Sequence, residues 1–396
     1  MKYKKLGDIC NIKSGGTPSR RKKEYWDSGT IPWVKIGDIK GKYISNTSEF
    51  ITEQGLNESS AKLFKKGTLL YTIFATLGEV AILDIDATTN QAIVGISHTN
   101  EVDTNYLYYF LKSKKEYVND IGRGVAQNNI NLSMLKDIDV YLPSNLEQQK
   151  ISKVLDKAQE LIDKRKEQIE ALDELVKSQF IEMFGNPYKN EKGWEIAEIG
   201  KYLNILTDYH SNGSYETLRD NVTLLDTPSY ALMVRTTDLE NNNFENEVKY
   251  IDEHAYNHLE KSKVFGGEII INKIGSAGKV YLMPYLNRPV SLAMNQFLLR
   301  FDEEKVNHIF LYNLLLTPYM ESKIKEKVRG AVTKTITKDA IREINIIVPP
   351  ISLQKEFVEF VKQVDKLKFE MEKSLKELED NFNSLMEKAF NEELLK

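Results

Sequence analysis

The chain of 396 residues holds a single cysteine, Cys10, so no internal disulfide can form and a disulfide-stapled secreted scaffold is excluded. Long apolar runs are missing as well: none reaches the roughly 18 residues a membrane-spanning helix requires. The opening MKYKKLGDIC continues into Asn11, Lys13 and Gly15 rather than into the apolar stretch of a secretion signal. The expectation is a cytoplasmic protein. There is no excess of positive charge either, since 54 Lys and Arg stand against 58 Asp and Glu for a net charge of -4. That argues against a protein that coats nucleic acid through bulk charge. The average conceals an asymmetry, because between Lys2 and Lys42 eleven basic residues face four acidic ones. With 41% hydrophobic and 28% charged residues, the chain can bury two or more cores and is not disordered throughout.

Catalytic motifs are equally scarce. Asn186-Pro187-Tyr188 lacks the second proline of the NPPY motif with which amino-methyltransferases hold a flipped base, and no glycine-rich cofactor loop precedes it. GSAGKV at residues 275–280 has too few residues between its glycines, and Val280 stands where a P-loop needs Ser or Thr. His254 and His258 have the spacing of two zinc ligands on one helix face, but Ala255 replaces the glutamate base and no third ligand is evident. Asp302, Glu321 and Lys323 form no convincing nuclease set in so charged a region, and Cys10 has no neighbouring histidine and reads as a buried apolar residue. The chain is therefore expected to be non-catalytic, with no metal and no cofactor of its own.

What is present is a duplication. At a shift of about 200 residues, Val34-Lys35 falls on Val234-Arg235, Asp38 on Asp238, Ile51 on Ile251, Asn57 on Asn257 and Gly67 on Gly267. Gly78 and Val80 meet Gly278 and Val280, Asn90-Gln91 is matched to Asn295-Gln296, and Tyr106-Leu107-Tyr108 to Phe310-Leu311-Tyr312. Gly124 meets Gly330, and Pro143 meets Pro349. Ordered matches with small drifts over half a chain indicate tandem copies of one domain, the period being far too long for a solenoid.

Each copy ends in a heptad seam. Ile151, Leu155, Ala158, Ile162, Ile169, Leu172, Val176 and Met183 alternate steps of four and three, with Arg165 and Gln179 as interruptions. The second seam, Phe357, Val361, Val364, Met371, Leu375, Leu378, Phe382, Leu385 and Ala389 with Lys368 interrupting, lies 206 residues further on. Both helices start after a proline-bearing strand end, with Asn145 and Ser352 as expected caps, and the first stops at Gly185-Asn186-Pro187. The globular parts read as short β runs (TLLYTIF, VAILDI, EIIINKI, QFLLRF) with helical patches at NYLYYFLKSKKEYV and HIFLYNLLLTPYMESKIKE. The predicted fold is α+β: two tandem mixed domains joined by two long helices in an antiparallel coiled coil, with pseudo-two-fold symmetry. The expected boundaries are 1–145, 146–185, 186–350 and 351–396.

Two like heads on a long helical spacer suit a protein that reads DNA as two half-sites about one or more duplex turns apart. The candidate DNA-binding residues are Thr17, Ser19, Arg20, Arg21, Lys22, Lys35, Lys40, Asn90, Gln91, Arg123 and Gln127 in the first copy. In the second they are Arg235, Lys273, Ser276, Lys279, Asn295, Gln296, Arg329 and Lys334. Lys and Arg on phosphates supply affinity, whereas Arg on guanine and Asn or Gln on adenine read base edges.

The order GGTPSRRKKEYW, IPWVKIGDIKG, Asn90-Gln91, then LPSNLEQQKI leading into a long helix that ends FIEMFGNP, resembles the specificity subunits of type I restriction-modification systems over nearly the whole chain. The resemblance implies target-recognition domains that each read one half of a bipartite DNA site, and helices that set the gap and dock two modification subunits. Those partners would bind S-adenosylmethionine and methylate adenine, and restriction subunits would add ATP- and Mg-dependent translocation and cleavage. TDYHSNGSYETLRDNV replaces the GGTPSRR loop in the second copy, and Leu353 stands opposite Glu147, so the two halves are expected to read different sequences. Two alternatives differ in class: a coiled-coil scaffold with duplicated protein-binding heads, which would not need basic and amide-rich loops in both copies, and a stand-alone methyltransferase, which the missing cofactor loop disfavours.

Overall fold

A computed structural model describes residues 3–123 and 129–391. The chain divides into two compact units, Met1–Glu167 with Glu372–Lys396, and Gln168–Met371. Both long helices pass from one unit to the other.

In the first unit a five-stranded sheet runs in the order Cys10–Ser14, Ile93–His98, Leu69–Thr72, Val80–Leu83, Tyr43–Ile44. A three-stranded sheet runs Glu49–Ile51, Ile31–Val34, Thr88–Thr89, its last pair parallel. The second unit repeats the plan. Leu203–Asp208, Gln296–Phe301, Ile269–Asn272 and Val280–Leu282 form one sheet. Lys249–Ile251, Ala231–Val234, Val290–Leu292 and Lys263–Val264 form the other, again with a parallel pair between the second and third. Strands of Val, Ile and Leu buried on both faces, as in LLYT, VAIL and IIIN, explain the near-continuous apolar runs of the sequence.

Strand register fixes the equivalences that alignment leaves loose. Leu69 pairs with Ile96, and Ile269 with Leu299. Trp33 pairs with Thr88, and Met233 with Ser291. The offset through this segment is therefore 203 residues, and Asn295-Gln296 lies two residues beyond the structural counterpart of Asn90-Gln91. The sequence match there joined two amide pairs that occupy different places.

The long helices span Asn145–Phe184 and Ile351–Phe390, 40 residues each, or about 60 Å of helix apiece. Within each unit their segments pair antiparallel: Lys166 reaches Glu379 at 2.9 Å in the first. In the second, Asp173 meets Lys368 at 2.6 Å while Phe180 packs on Phe357. The predicted seam is the buried stripe, Ile151, Leu155 and Ile162 meeting the core of the first unit together with Phe382 and Ala389. A second stripe lies one position off the heptad seam. Phe180 and Phe184, and 206 residues on Met386 and Phe390, are buried against the helices His308–Leu315 and Thr104–Ser113. Seam and second stripe together form one broad apolar face on each long helix, shared between the partner helix and a globular core.

The caps differ from expectation by one or two residues. Ser144, not Asn145, caps the first helix: its hydroxyl accepts from Glu147 N–H at 3.4 Å, and the Glu147 carboxylate accepts from Ser144 N–H at 2.9 Å. Ser352 lies inside the second helix, whose first turn closes on the Pro350 carbonyl.

Candidate nucleic-acid interface

In the first unit the GGTPSRR loop leaves strand Cys10–Ser14 and is pulled tight against the rest of the domain. Gly15 N–H donates to Ile93 O at 3.0 Å, and Gly16 N–H to Thr89 O at 2.9 Å. A Cβ on Gly15 would sit 1.9 Å from Thr89 Oγ1, and one on Gly16 2.4 Å from backbone of Ser60. Only glycine allows so close an approach. Two tryptophans then anchor the loop from inside: Trp33 Nε1 donates to Gly16 O at 3.1 Å, Trp26 Nε1 to Ser19 O at 3.2 Å, and the rings meet edge to face at 5.0 Å.

That framework brings several predicted residues together. Thr17 Oγ1 donates to Gln91 Oε1, joining the loop to the 89–91 turn. The Arg20 guanidinium lies 3.5 Å from the centre of the Trp26 ring and 4.8 Å from that of Trp33. Its Nη2 is 2.5 Å from Glu49, and Lys35 Nζ reaches the same carboxylate at 2.6 Å. The Lys35 hydrogen bond holds the Glu49 carboxyl below the usual carboxylate range; partial burial opposes this, and Arg20 adds to it. Lys22 turns aside to Tyr25 Oη at 2.6 Å. Ser19, Arg21 and Lys40 are exposed, and Asn90 is half-buried with its carbonyl oxygen on Ala92 N–H. Gln127 lies outside the described residues, as does the side chain of Arg123.

The second unit is built differently at equivalent places. Glu49 is opposite Trp33 in its strand pair, whereas Lys249 is opposite Met233 and is paired with Asp226. The loop replacing GGTPSRR begins in an ionic cluster that sequence spacing did not reveal: Asp208 takes Lys338 at 2.8 Å, Lys273 at 3.0 Å and Ser211 Oγ at 2.6 Å. Burial would raise the Asp208 carboxyl, but the hydrogen bonds from Lys338, Ser211 and Lys273 prevail and bring it down to about 2. Lys273 N–H donates to Asn295 O at 2.7 Å, Ile336 N–H to Lys273 O at 3.1 Å, and Gly275 N–H to Lys334 O at 3.2 Å. These bonds gather Lys273, Asn295 and the exposed Arg329 and Lys334 onto adjoining loops. A cleft of about 630 Å³ opens between residues 275–280 and helix Pro318–Lys327, with Lys279, Lys325 and Lys334 on its walls. Ser276 and Lys279 are drawn to Glu240, at 3.1 and 3.5 Å.

Two of the predicted residues serve the fold. Arg235 makes bonds of 3.1 and 2.6 Å to Asp238 and a third of 2.7 Å to Glu247 O. Gln296 is fully buried in its strand, its amide placed to donate to Val234 O at 3.1 Å and accept from Thr236 N–H at 3.2 Å. A glutamine with no exposed surface presents nothing to a base edge. Among the described residues no group of three or more His, Cys, Asp or Glu is placed to hold a metal ion, and no helix is long and apolar enough to cross a membrane. His254, exposed, bonds Asn221 at 2.9 Å.

The family model for the type I restriction modification DNA specificity domain matches residues 1–172 and 191–380. The type I restriction enzyme MjaIX specificity subunit of Methanocaldococcus jannaschii is 32% identical over 381 residues, 89% of this chain and 84% of that protein. The S subunit of a type I restriction-modification system from M. genitalium, known as a crystal structure, aligns with TM-score 0.53 at 18% identity over 98% of this chain and 95% of its own. A chain from a structural study of type I complex assembly and conformational transition aligns with TM-score 0.59 at 16% identity over 98% and 97%. At those identities the solved structures speak for the fold, and the duplicated match, together with the relative that spans the whole arrangement, assigns the chain to the family of type I restriction-modification DNA specificity subunits.

Proposed function

We infer that this chain is the sequence-recognition subunit of a type I restriction-modification complex, itself non-catalytic. Domains 1–145 and 186–350 each contact one half of a bipartite DNA site, and helices 146–185 and 351–396 set the gap and carry two modification subunits. The observation that carries this reading is one scaffold, repeated in its central strand pairings, with unlike polar groups at the same place: Arg20, Lys35 and Glu49 beside two tryptophans in one unit, and Lys249 with Asp226 beside Met233 in the other. Two heads of one protein-binding kind would repeat their surface along with their core, whereas heads for two unlike half-sites repeat only the core.

Phosphate contacts come from exposed cations such as Lys40, Arg21, Arg329 and Lys334, and base-edge contacts from residues held in place, such as Arg20, Gln91 and Asn295. The net charge of -4 favours weak binding by the isolated chain and tighter binding once modification subunits close around the duplex. S-adenosylmethionine belongs to those subunits, which flip and methylate adenine, and ATP and Mg to restriction subunits. The setting is the cytoplasm.

The test is single-molecule methylome sequencing of a host that expresses this chain with its cognate modification subunit, against a host without the chain. The expected result is a new motif of two short, unlike blocks with a fixed gap, methylated on adenine in each strand. No new motif, with assembly of the complex intact, would favour the scaffold instead.

A further inference from the structure

We propose that Arg20 is the guanine-reading residue of the first recognition domain, its plane set by Trp26 and its edge by Glu49. The inference rests on the DNA-recognition role given above and adds to it a residue, a base and a half-site.

A phosphate accepts a donor from many directions and rewards charge alone, so a flexible lysine serves as well as an arginine. The O6/N7 edge of guanine asks for two parallel donors in one plane, which a guanidinium offers and an ammonium does not. Arg20 is held as that second task requires. Its guanidinium lies 3.5 Å from the Trp26 ring centre, and Trp26 is itself fixed by its bond to Ser19 O and its edge contact with the buried Trp33. The stack fixes the tilt of the plane. Glu49, on the neighbouring strand Glu49–Ile51, lies 2.5 Å from Nη2 as an ion pair and draws that end of the guanidinium towards the strand. A guanidinium has five donors, so one engaged nitrogen leaves others for a base.

Exposure separates this from a purely structural arginine. The Arg20 side chain keeps 51% of its surface open, whereas Arg235, which bonds Asp238 and Glu247 O, keeps 31%. Charge points the same way: Glu49 is one carboxylate facing two cations, Arg20 and Lys35, so the three side chains keep a net positive charge and Lys35 remains suited to an adjacent phosphate. The second unit supplies an internal comparison. At the strand position of Glu49 it carries Lys249, and at that of Trp33, Met233. The tryptophan and the carboxylate buttress are absent together there, and Arg219 of the replacement loop pairs with Asp220 instead, as expected of a device for one half-site and not of a shared structural support.

The experiment compares the methylation motif directed by the complex carrying wild-type chain, Arg20→Lys, Arg20→Ala, Glu49→Gln or Lys35→Ala, and the salt dependence of binding to the wild-type site. For both Arg20 variants the expected result is loss of roughly ten- to hundred-fold discrimination at one G·C pair of one half-site, the other half-site being read as before. Glu49→Gln relaxes the same pair more weakly, and Lys35→Ala weakens binding to all sequences with a shallower salt slope. The intact half-site reports that each variant folds and assembles, and Arg20→Lys keeps charge and bulk where truncation would loosen the loop. If Arg20→Lys leaves every position as selective as before, or weakens all sequences equally, the assignment is overturned. If the wild-type chain directs no bipartite motif at all, the recognition role fails and takes this inference with it.

Discussion

The side-chain carbonyl of Gln148 accepts from the backbone N–H of Asp103 at 2.8 Å, while its amide donates to Glu101 O at 3.0 Å and Pro143 O at 2.9 Å. Gln354 repeats this 206 residues later, accepting from Asn307 N–H at 2.9 Å and donating to Lys305 O at 3.3 Å and Pro349 O at 2.8 Å. Both side chains are fully buried. Each ties the first turn of a long helix to the N-terminus of the helix packed beneath it, where Asp103 and Asn307 are the caps. Gln148→Ala and Gln354→Ala each strand one half-buried N–H and two carbonyls, so each is expected to cost about 1–3 kcal/mol. Denaturant unfolding measures it; a change below about 0.5 kcal/mol would mean that water replaces the amide.

Asp208 is expected to make the second unit acid-sensitive. Its carboxyl titrates at about 2 against an ordinary 3.8, so the folded state binds its proton more weakly than the unfolded chain does. The resulting stability is fully present above about pH 5 and disappears as pH falls towards 2, and it amounts to about 2 kcal/mol. Asp208→Asn is expected to lose about that much at neutral pH and to show a shallower decline between about pH 5 and 2. Parallel acid-unfolding curves for variant and wild type would disprove the ionic role of the Lys273–Asp208–Lys338 cluster.

The duplication, the helix seams and the α+β domains were legible in the sequence because each rests on periodicity, which survives without coordinates. Phe180 and Phe184 escape a heptad reading because they lie off its positions. Their signal was an extra apolar pair four residues apart, repeated at Met386 and Phe390. The interface was less legible. Basic residues could be counted, but whether a cation is free depends on partners far away in the chain. Arg235 and Lys35 look alike in alignment, yet one is tied to Asp238 and Glu247 O and the other shares Glu49 with Arg20. No spacing rule joins Asp208 to Lys273 and Lys338. Gln296 misled because a polar residue at a strand start reads as a turn amide, and only register places it inside a sheet.

The tight seat of the GGTPSRR loop leads to a half-site-specific defect. Gly15→Ala puts a methyl group 1.9 Å from Thr89 Oγ1 and 2.4 Å from Asn90 O, and backbone at that distance cannot yield without moving the loop that carries Thr17 and Arg20. The expected outcome is loss of selectivity, or of methylation, that follows the first half-site alone. A chimeric target in which only the first block is varied measures it. Equal loss at both blocks would mean that the substitution unfolds more than the loop.

The helices carry the last prediction, because the spacer role proposed for them rests on length. Residues 162–168 and 375–381 face each other, as the Lys166–Glu379 pair shows, and removing both takes one heptad from each helix. Seven residues shorten a helix by about 10 Å and return it to within about 20° of its phase, so the seam closes again with Ile169 in the place of Ile162. The ends, with Gln148, Gln354 and the globular cores they hold, keep their own contacts. At about 3.4 Å per base pair, the gap in the methylated motif is expected to shrink by about three base pairs while both blocks keep their sequence. Methylome sequencing reads gap and blocks together. An unchanged gap with methylation retained would show that the spacing is set elsewhere, and a changed block would show that the deletion reaches the reading heads.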